Sequence, residues 1–199
     1  MAFAYPLSLR FKILAIASRI YVQDATGGEL LYVKQRAFRL KEDVRIFLDS
    51  TQTTELYQMR ADRILDVSPG FTITDHSGNL VGYIKREGLR SIWRASYLLL
   101  DAGATVTHHI KEENPWLKVL DGLLSEVPGV GILANYVIHP SYVVYEVGSE
   151  QPVFRMTKKP ALLEGRFRID KLIEVPGPTL EARLVLGLML MVVFERARG

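Results

Sequence analysis

The chain has 199 residues, is 48% hydrophobic and carries 25 Lys and Arg against 22 Asp and Glu, for a net charge of +3. That length allows one large domain or two small ones, with enough apolar material for a sizeable core. The absence of cysteine excludes disulfides, thiolate metal sites and cysteine nucleophiles, and the basic excess is too small to argue for nucleic acid.

Near the start, Arg10 and Lys12 precede a short apolar patch, Ile13 to Ala17, which Arg19 interrupts. A signal peptide needs a longer apolar region and a small-residue cleavage site, so the patch reads as a strand and the protein as cytoplasmic. A weak repeat follows. Each copy is a β-branched or aromatic run, a polar turn opened by an acid, and a second apolar run. The copies are Ile20 to Val33 around Asp24, Val44 to Met59 around Asp49, Phe71 to Ile84 around Asp75, and Tyr142 to Met156 around Glu146 and Gly148. An Asp accepts from its own backbone two residues on, and Gly supplies positive φ, so these are hairpins. Hairpins in a row make a meander, and closing it removes the edge strands.

Two more strands are expected at Ile92 to Asp101 and Ala104 to Ile110. Asn114-Pro115 then opens a helix in which Trp116, Leu117, Leu120, Leu123, Leu124 and Val127 recur at helical spacing before Pro128-Gly129. Arg166-Phe167-Arg168-Ile169-Asp170 alternates as a half-exposed strand, with both arginines outward and Phe167 and Ile169 inward. After the break at Pro176-Gly177-Pro178, Thr179 is the expected N-cap of a final helix. Its segment from Leu184 to Phe194 is eleven residues without a charge. As a helix it spans about 16 Å, too short for a bilayer core of about 30 Å. A helix apolar on every side belongs inside a protein core. No linker divides the chain, so residues 1–199 read as a single, mainly β domain that closes around this helix, with the 114–127 helix at its side.

Few motifs carry chemistry. His108-His109 with Glu112-Glu113 matches no zinc-protease spacing, and adjacent histidines on a strand face opposite sides. Gly-x-Ser-x-Gly is absent, and Gly129-Val130-Gly131 lacks the context of a dinucleotide site. The expectation is therefore no catalytic residue, no metal and no cofactor. Basic residues gather at Lys34, Arg36, Arg39, Lys41 and Arg45; at Lys85, Arg86, Arg90 and Arg94; and at Arg155, Lys158, Lys159, Arg166, Arg168 and Lys171. Acids such as Glu42, Glu87, Glu164 and Asp170 dilute all three, as they would on solvated strand faces. The sharper reading is an anionic headgroup or phosphate site.

The order of pieces resembles the LURP-one-related family, within the tubby C-terminal-like superfamily that also includes phospholipid scramblases. The pieces are Tyr32 to Leu40, Phe71 to Lys85, Asn135 to Val143 with Pro140-Ser141-Tyr142, and the terminal apolar helix ending in Glu195-Arg196. The resemblance implies a twelve-stranded β-barrel around a central hydrophobic C-terminal helix. Tubby members bind phosphoinositide headgroups through basic residues on the barrel. Scramblases are described as calcium-dependent, but Asp75 to Asn79 lacks the alternating acids of a calcium loop, and no cysteine cluster can exist here. No catalytic residue carries over.

The leading expectation is a non-enzymatic binding or scaffold module. It would engage anionic phospholipid headgroups or phosphorylated ligands through Lys34, Arg36, Arg39, Arg166, Arg168 and Lys171, without a transmembrane span and without nucleic acid. It would be cytoplasmic, or peripheral to a membrane. The alternatives are a protein-interaction module using the 114–127 helix, and an unrecognised enzyme.

Overall fold

A computed structural model of the chain describes residues 3–12, 18–35, 43–62, 70–87, 96–113, 141–149, 151–161 and 164–196. The described residues form twelve strands and one helix, α1, Pro178–Arg196. The strands are β1 (Leu7–Lys12), β2 (Ser18–Gln23), β3 (Glu29–Gln35), β4 (Asp43–Phe47), β5 (Glu55–Asp62) and β6 (Gly70–Asp75), then β7 (Leu80–Arg86), β8 (Ser96–Leu100), β9 (Val106–Glu112), β10 (Ser141–Glu146), β11 (Pro152–Lys159) and β12 (Glu164–Lys171). Each pairs antiparallel with its neighbours in sequence, and β1 pairs with β12, so the meander closes into a barrel without edges.

Alternation sets the wall. In β4, Val44 and Ile46 are buried while Arg45 is exposed. The hairpins are stapled at their turns by acids. The Asp24 carboxylate accepts from the amides of Thr26 and Gly28, Asp75 from those of Ser77 and Asn79, Asp49 from that of Thr51 and Asp101 from that of Thr105, each at 2.9 Å. The residue three after each Asp has positive φ: Gly27, Gln52, Gly78 and Ala104. Each hairpin also returns with a bulge. Its register skips one residue on the second strand: Leu30, Leu56, Val81, Thr107 and Val153 in turn. A bulge bends its strand and deepens the twist, which helps a sheet curl shut.

Helix α1 fills the lumen. Residues 182 to 193 are buried on every side, whichever way they point. Eight strands enclose a space that side chains alone fill, and the diameter grows with strand number. Twelve leave room for a helix, which then needs no polar face. Its backbone runs nearest β7 and β8. Gly187 permits this approach, since a Cβ there would lie 2.6 Å from Leu99 Cδ2. Likewise Phe11 lies across its β12 partner Gly165, where a Cβ would sit 2.1 Å from the ring, and stacks on Phe167 at 6.2 Å.

Three elements differ from the sequence reading. A strand the sequence reading did not name, β1 at Leu7–Lys12, comes first, with Leu7, Leu9 and Phe11 buried and Arg10 exposed; the expected strand at 13–17 lies outside the described residues. Asp101 opens a fifth hairpin, β8 to β9, of the same design as the others. The helix begins at Pro178, whose missing N–H costs nothing at the first position. Gly177 precedes it at φ +81 and its carbonyl accepts from the Glu181 amide, so Thr179 lies inside the first turn rather than capping it. The expected 114–127 helix lies outside the described residues.

Two substitutions test this packing. Leu188→Arg puts an unpaired charge in the lumen and should cost at least about 3 kcal/mol, read as loss of the cooperative thermal transition. Native melting in that variant would remove α1 from the barrel. Thr107→Val deletes the hydroxyl that accepts from the buried Arg183 guanidinium at 3.4 Å, and should cost about 1–3 kcal/mol by denaturant titration; no change would mean that Arg183 does not depend on it.

Candidate functional site

The strand turns between β2 and β3, β4 and β5, β6 and β7, β8 and β9, and β10 and β11 share one end of the barrel. The chain enters α1 there too, because the start of β1 pairs with the ends of both β2 and β12. This end is acidic. Asp24, Glu29, Asp49, Glu55, Asp75, Asp101, Glu146 and Glu174 lie in or beside its turns. Hydrogen bonds from their own turns hold the carboxyls of Asp24, Asp49 and Asp75 below the ordinary carboxylate range.

Two polar clusters seal the mouth around α1. In one, Lys171 lies 2.5 Å from Glu174 and 3.1 Å from buried Glu181. Its ammonium also stands 5.6 Å from the Tyr5 ring, at cation-π distance. Burial first, then the Glu181 carboxylate, push the Tyr5 phenol upward. The hydrogen bond to Glu174 first, and contact with Glu181, push Lys171 upward. In the other cluster, Arg183 donates to the Val81 carbonyl at 3.3 Å and to Thr107 Oγ1 at 3.4 Å. Both acceptors belong to bulge residues, and Thr107 is the polar member of that set of five. Gly82, at φ +149, makes room: a Cβ there would lie 2.8 Å from Arg183 Cδ and 2.3 Å from the Leu100 carbonyl. Burial pushes the Arg183 guanidinium down, against the pull of Asp101.

The expected binding residues separate. Arg166 and Arg168 project outward from β12, about half exposed, and pair with Glu164 at 3.1 Å and Asp170 at 2.8 Å. Lys171 has the other parity. It falls with Phe167 and Ile169 on the inner side, where its ion pairs hold α1. Lys34 lies on β3 opposite Arg19 on β2 and Arg45 on β4. Arg36 and Arg39 lie outside the described residues.

Register reveals what the sequence reading missed. On the outer wall Arg166 is directly opposite Arg10 on one side and Lys159 on the other. The result is a cross-strand row of like charge, Lys159–Arg166–Arg10, over β11, β12 and β1, and a second set on β2, β3 and β4 in which exposed Arg19 and Arg45 stand at register positions on either side of Lys34. Tyr21 and Tyr32 continue the first row above the second, their rings 5.1 Å apart. Ser8 and Thr157 flank Arg168. Arg10 hydrogen-bonds Gln23, and Arg45 pairs with Glu55 at 3.3 Å and Asp43 at 3.6 Å. Such exposed pairs contribute about 0–1 kcal/mol, so an anionic ligand displaces them at little cost.

The histidines divide as strand parity requires. His108 is buried inward, and desolvation first, with Arg183 and His109 opposing Glu146, lowers its pKa. His109 lines an outer groove of about 660 Å³ with Lys111, Glu113, Tyr145 and Glu146. Its acids make this groove a poor phosphate site. Among the described residues, no group of three or more His, Asp or Glu is placed to hold a metal ion, and no helix is long and apolar enough to cross a membrane.

No family model matches the chain, and none of the curated proteins does. Among solved structures it is similar to the X-ray structure of a protein from Arabidopsis thaliana, AT5G01750. The identity is 15%, over 95% of this chain and 90% of that one, with a TM-score of 0.52. At that identity the likeness speaks for the fold alone: both chains share the barrel.

The mouth gives a pH signature. Tyr5 and Lys171 have folded pKa values raised above their ordinary 10.0 and 10.5. The stability they contribute is complete below those values and lost as pH rises through the folded ones. His108 is lowered from 6.5, so its contribution is complete above 6.5 and lost as pH falls below it. The melting temperature should be flat between these limits, fall on both sides, and lose part of its alkaline fall in Tyr5→Phe. An alkaline limb identical in that variant would contradict the assignment.

Proposed function

We propose that this chain is a non-enzymatic binding module whose basic outer wall takes phosphate groups, as anionic phospholipid headgroups or on phosphorylated ligands. The observation that carries the reading is the pair of like-charge rows. Cations directly opposite one another on neighbouring strands repel and destabilise a sheet. The fold gains nothing from setting Arg10 and Lys159 on either side of Arg166, or Lys34 between Arg19 and Arg45. A phosphate between them turns that repulsion into charge-assisted hydrogen bonds. Membership of the LURP-one-related family fits the same reading: the barrel with its central helix is the architecture that the resemblance implies, and the Arabidopsis likeness supports that architecture. In this reading the protein is cytoplasmic and meets membranes peripherally. Lys171 leaves the site, because it serves α1.

Co-sedimentation with anionic liposomes at low and high salt tests the reading, with neutral liposomes as control. Binding should weaken steeply as the Debye length shrinks from about 10 Å at 0.1 M to about 3 Å at 1 M salt. The Arg166→Glu, Arg168→Glu double variant should bind more than about tenfold more weakly, at about 1 kcal/mol per cation lost near the surface. Equal binding to neutral vesicles would sink the electrostatic reading. Unchanged anionic binding by the double variant would move the site off β12.

A further inference from the structure

We infer that the groove over β9 and β10 is a second site, independent of the basic wall, which takes an extended peptide segment with a cationic side chain at each end. The outer wall changes character around the barrel. Across β12 and β1 its outward row is charged. Across β8 to β11 the outward row is Leu98, His109, Tyr145 and Pro152, paired in register from strand to strand and all half-buried. Their chain neighbours Leu99, Ile110, Val144 and Val153 are the ones that face the core. The core therefore does not call for apolar and aromatic side chains in this row, whereas a ligand lying on it does.

The groove, about 660 Å³, lies over this row and follows the strands. Glu146 and Ser149 line it at the turn end, Tyr145 and His109 in the middle, and Lys111 and Glu113 toward the other end. Glu146 stands opposite His108, and Glu113 lies five residues beyond His108, its amide still donating to the Ser141 carbonyl at 2.8 Å. At about 3.3 Å per residue the two acids are about 17 Å apart, the span of about five residues of extended chain. Glu113 already receives the Arg155 guanidinium at 2.9 Å, with both partners exposed. Such a pair is weak, so a ligand cation exchanges with it readily.

A small amine needs only one acid. Acids at both ends of an apolar and aromatic floor suit a peptide with apolar residues between two basic ones. The closed barrel has no edge strand, so the segment cannot add to the sheet and is read through its side chains. His109 Nδ1 is buried without a hydrogen-bond partner. A peptide backbone brings both N–H and C=O to answer either tautomer, whereas a polyamine brings only donors. Lys111 stands between the acids and opposes a cation, so the site has a sign that mutation can read.

The test is fluorescence anisotropy of the full chain with the end-blocked, labelled peptide Arg-Ala-Pro-Tyr-Ala-Arg. The peptide with Glu in place of both Arg should bind more than about tenfold more weakly. Glu113→Gln and Glu146→Gln should each weaken binding about two- to fivefold, as loss of an exposed ion pair does, and Lys111→Gln should strengthen it. Tyr145→Ala should weaken it more than about tenfold, as truncating a central aromatic anchor does. Thermal melting shows that each variant folds. The Arg166→Glu, Arg168→Glu variant should bind the peptide normally, which separates this site from the phosphate reading. No binding at about 1 mM peptide, or equal binding of the acidic version, would overturn the inference. Spermidine competing as tightly as the peptide would overturn the peptide in favour of a polyamine. Unchanged binding by Tyr145→Ala and Glu146→Gln would move the peptide off the groove.

Discussion

A barrel of twelve strands cannot fill itself, and most of this structure answers that constraint. Its wall side chains reach inward only so far, and a lumen of this width left empty would forfeit the contacts that make a core cohere. The C-terminal helix supplies them. Because wall surrounds it, Leu184 through Val193 must be apolar in every direction, and they are. A fully buried Leu or Met contributes about 1.5–3 kcal/mol, so this one segment is a large share of the core, and the inward side chains of the wall supply the rest. The same constraint explains its glycine: Gly187 gives up helix propensity, about 1 kcal/mol against alanine, for close approach to Leu99 on β8.

Entry of a helix into an apolar lumen creates a second problem at the mouth. The first turn brings charge and unsatisfied amides to the rim. The chain resolves this with Glu181 against Lys171 on one side and Arg183 against two strand bulges on the other. The bulges therefore do two things. They curl the sheet, and at Val81 and Thr107 they release acceptors that receive a buried guanidinium. The acidic turns around the mouth suit the positive end of the helix dipole and keep the N-terminal end of α1 in a favourable field. Acids thus gather at the turn end of the barrel, while rows of cations cross the wall of β11 to β4 among acids such as Asp43, Glu164 and Asp170.

Much of this was legible in the residues, for identifiable reasons. Each hairpin announces itself because an acid, in three of the five followed by a Gly of positive φ, stands between apolar runs. The central helix announces itself because it lacks a polar face. Strand β1 was equally visible in the alternation of Leu7-Ser8-Leu9-Arg10-Phe11-Lys12, but it was overlooked beside the more apolar run that follows. Parity also held the correct place of Lys171: counting by twos from Phe167 puts it inside, whereas grouping by charge puts it with Arg166 and Arg168. Two features could not be read. The row through Arg166 depends on which residues face one another across β1 and β12, a pairing made only when the ends of the chain meet, and the row through Lys34 depends on the register of β3 against β4. Arg183 depends on bulge positions, and only overlaying the five hairpins would have marked Thr107 as the polar exception among Leu30, Leu56, Val81 and Val153.

The central claim is that α1 is the core of the barrel rather than an appendage to it. Native-state hydrogen exchange measures this directly. The amides from Leu184 to Val193 should exchange only when the whole barrel unfolds, with the same opening free energy and denaturant dependence as central amides such as those of Ile73 and Ile110. Exchange of the helix through a separate, lower-energy opening, with the strands still protected, would contradict the account.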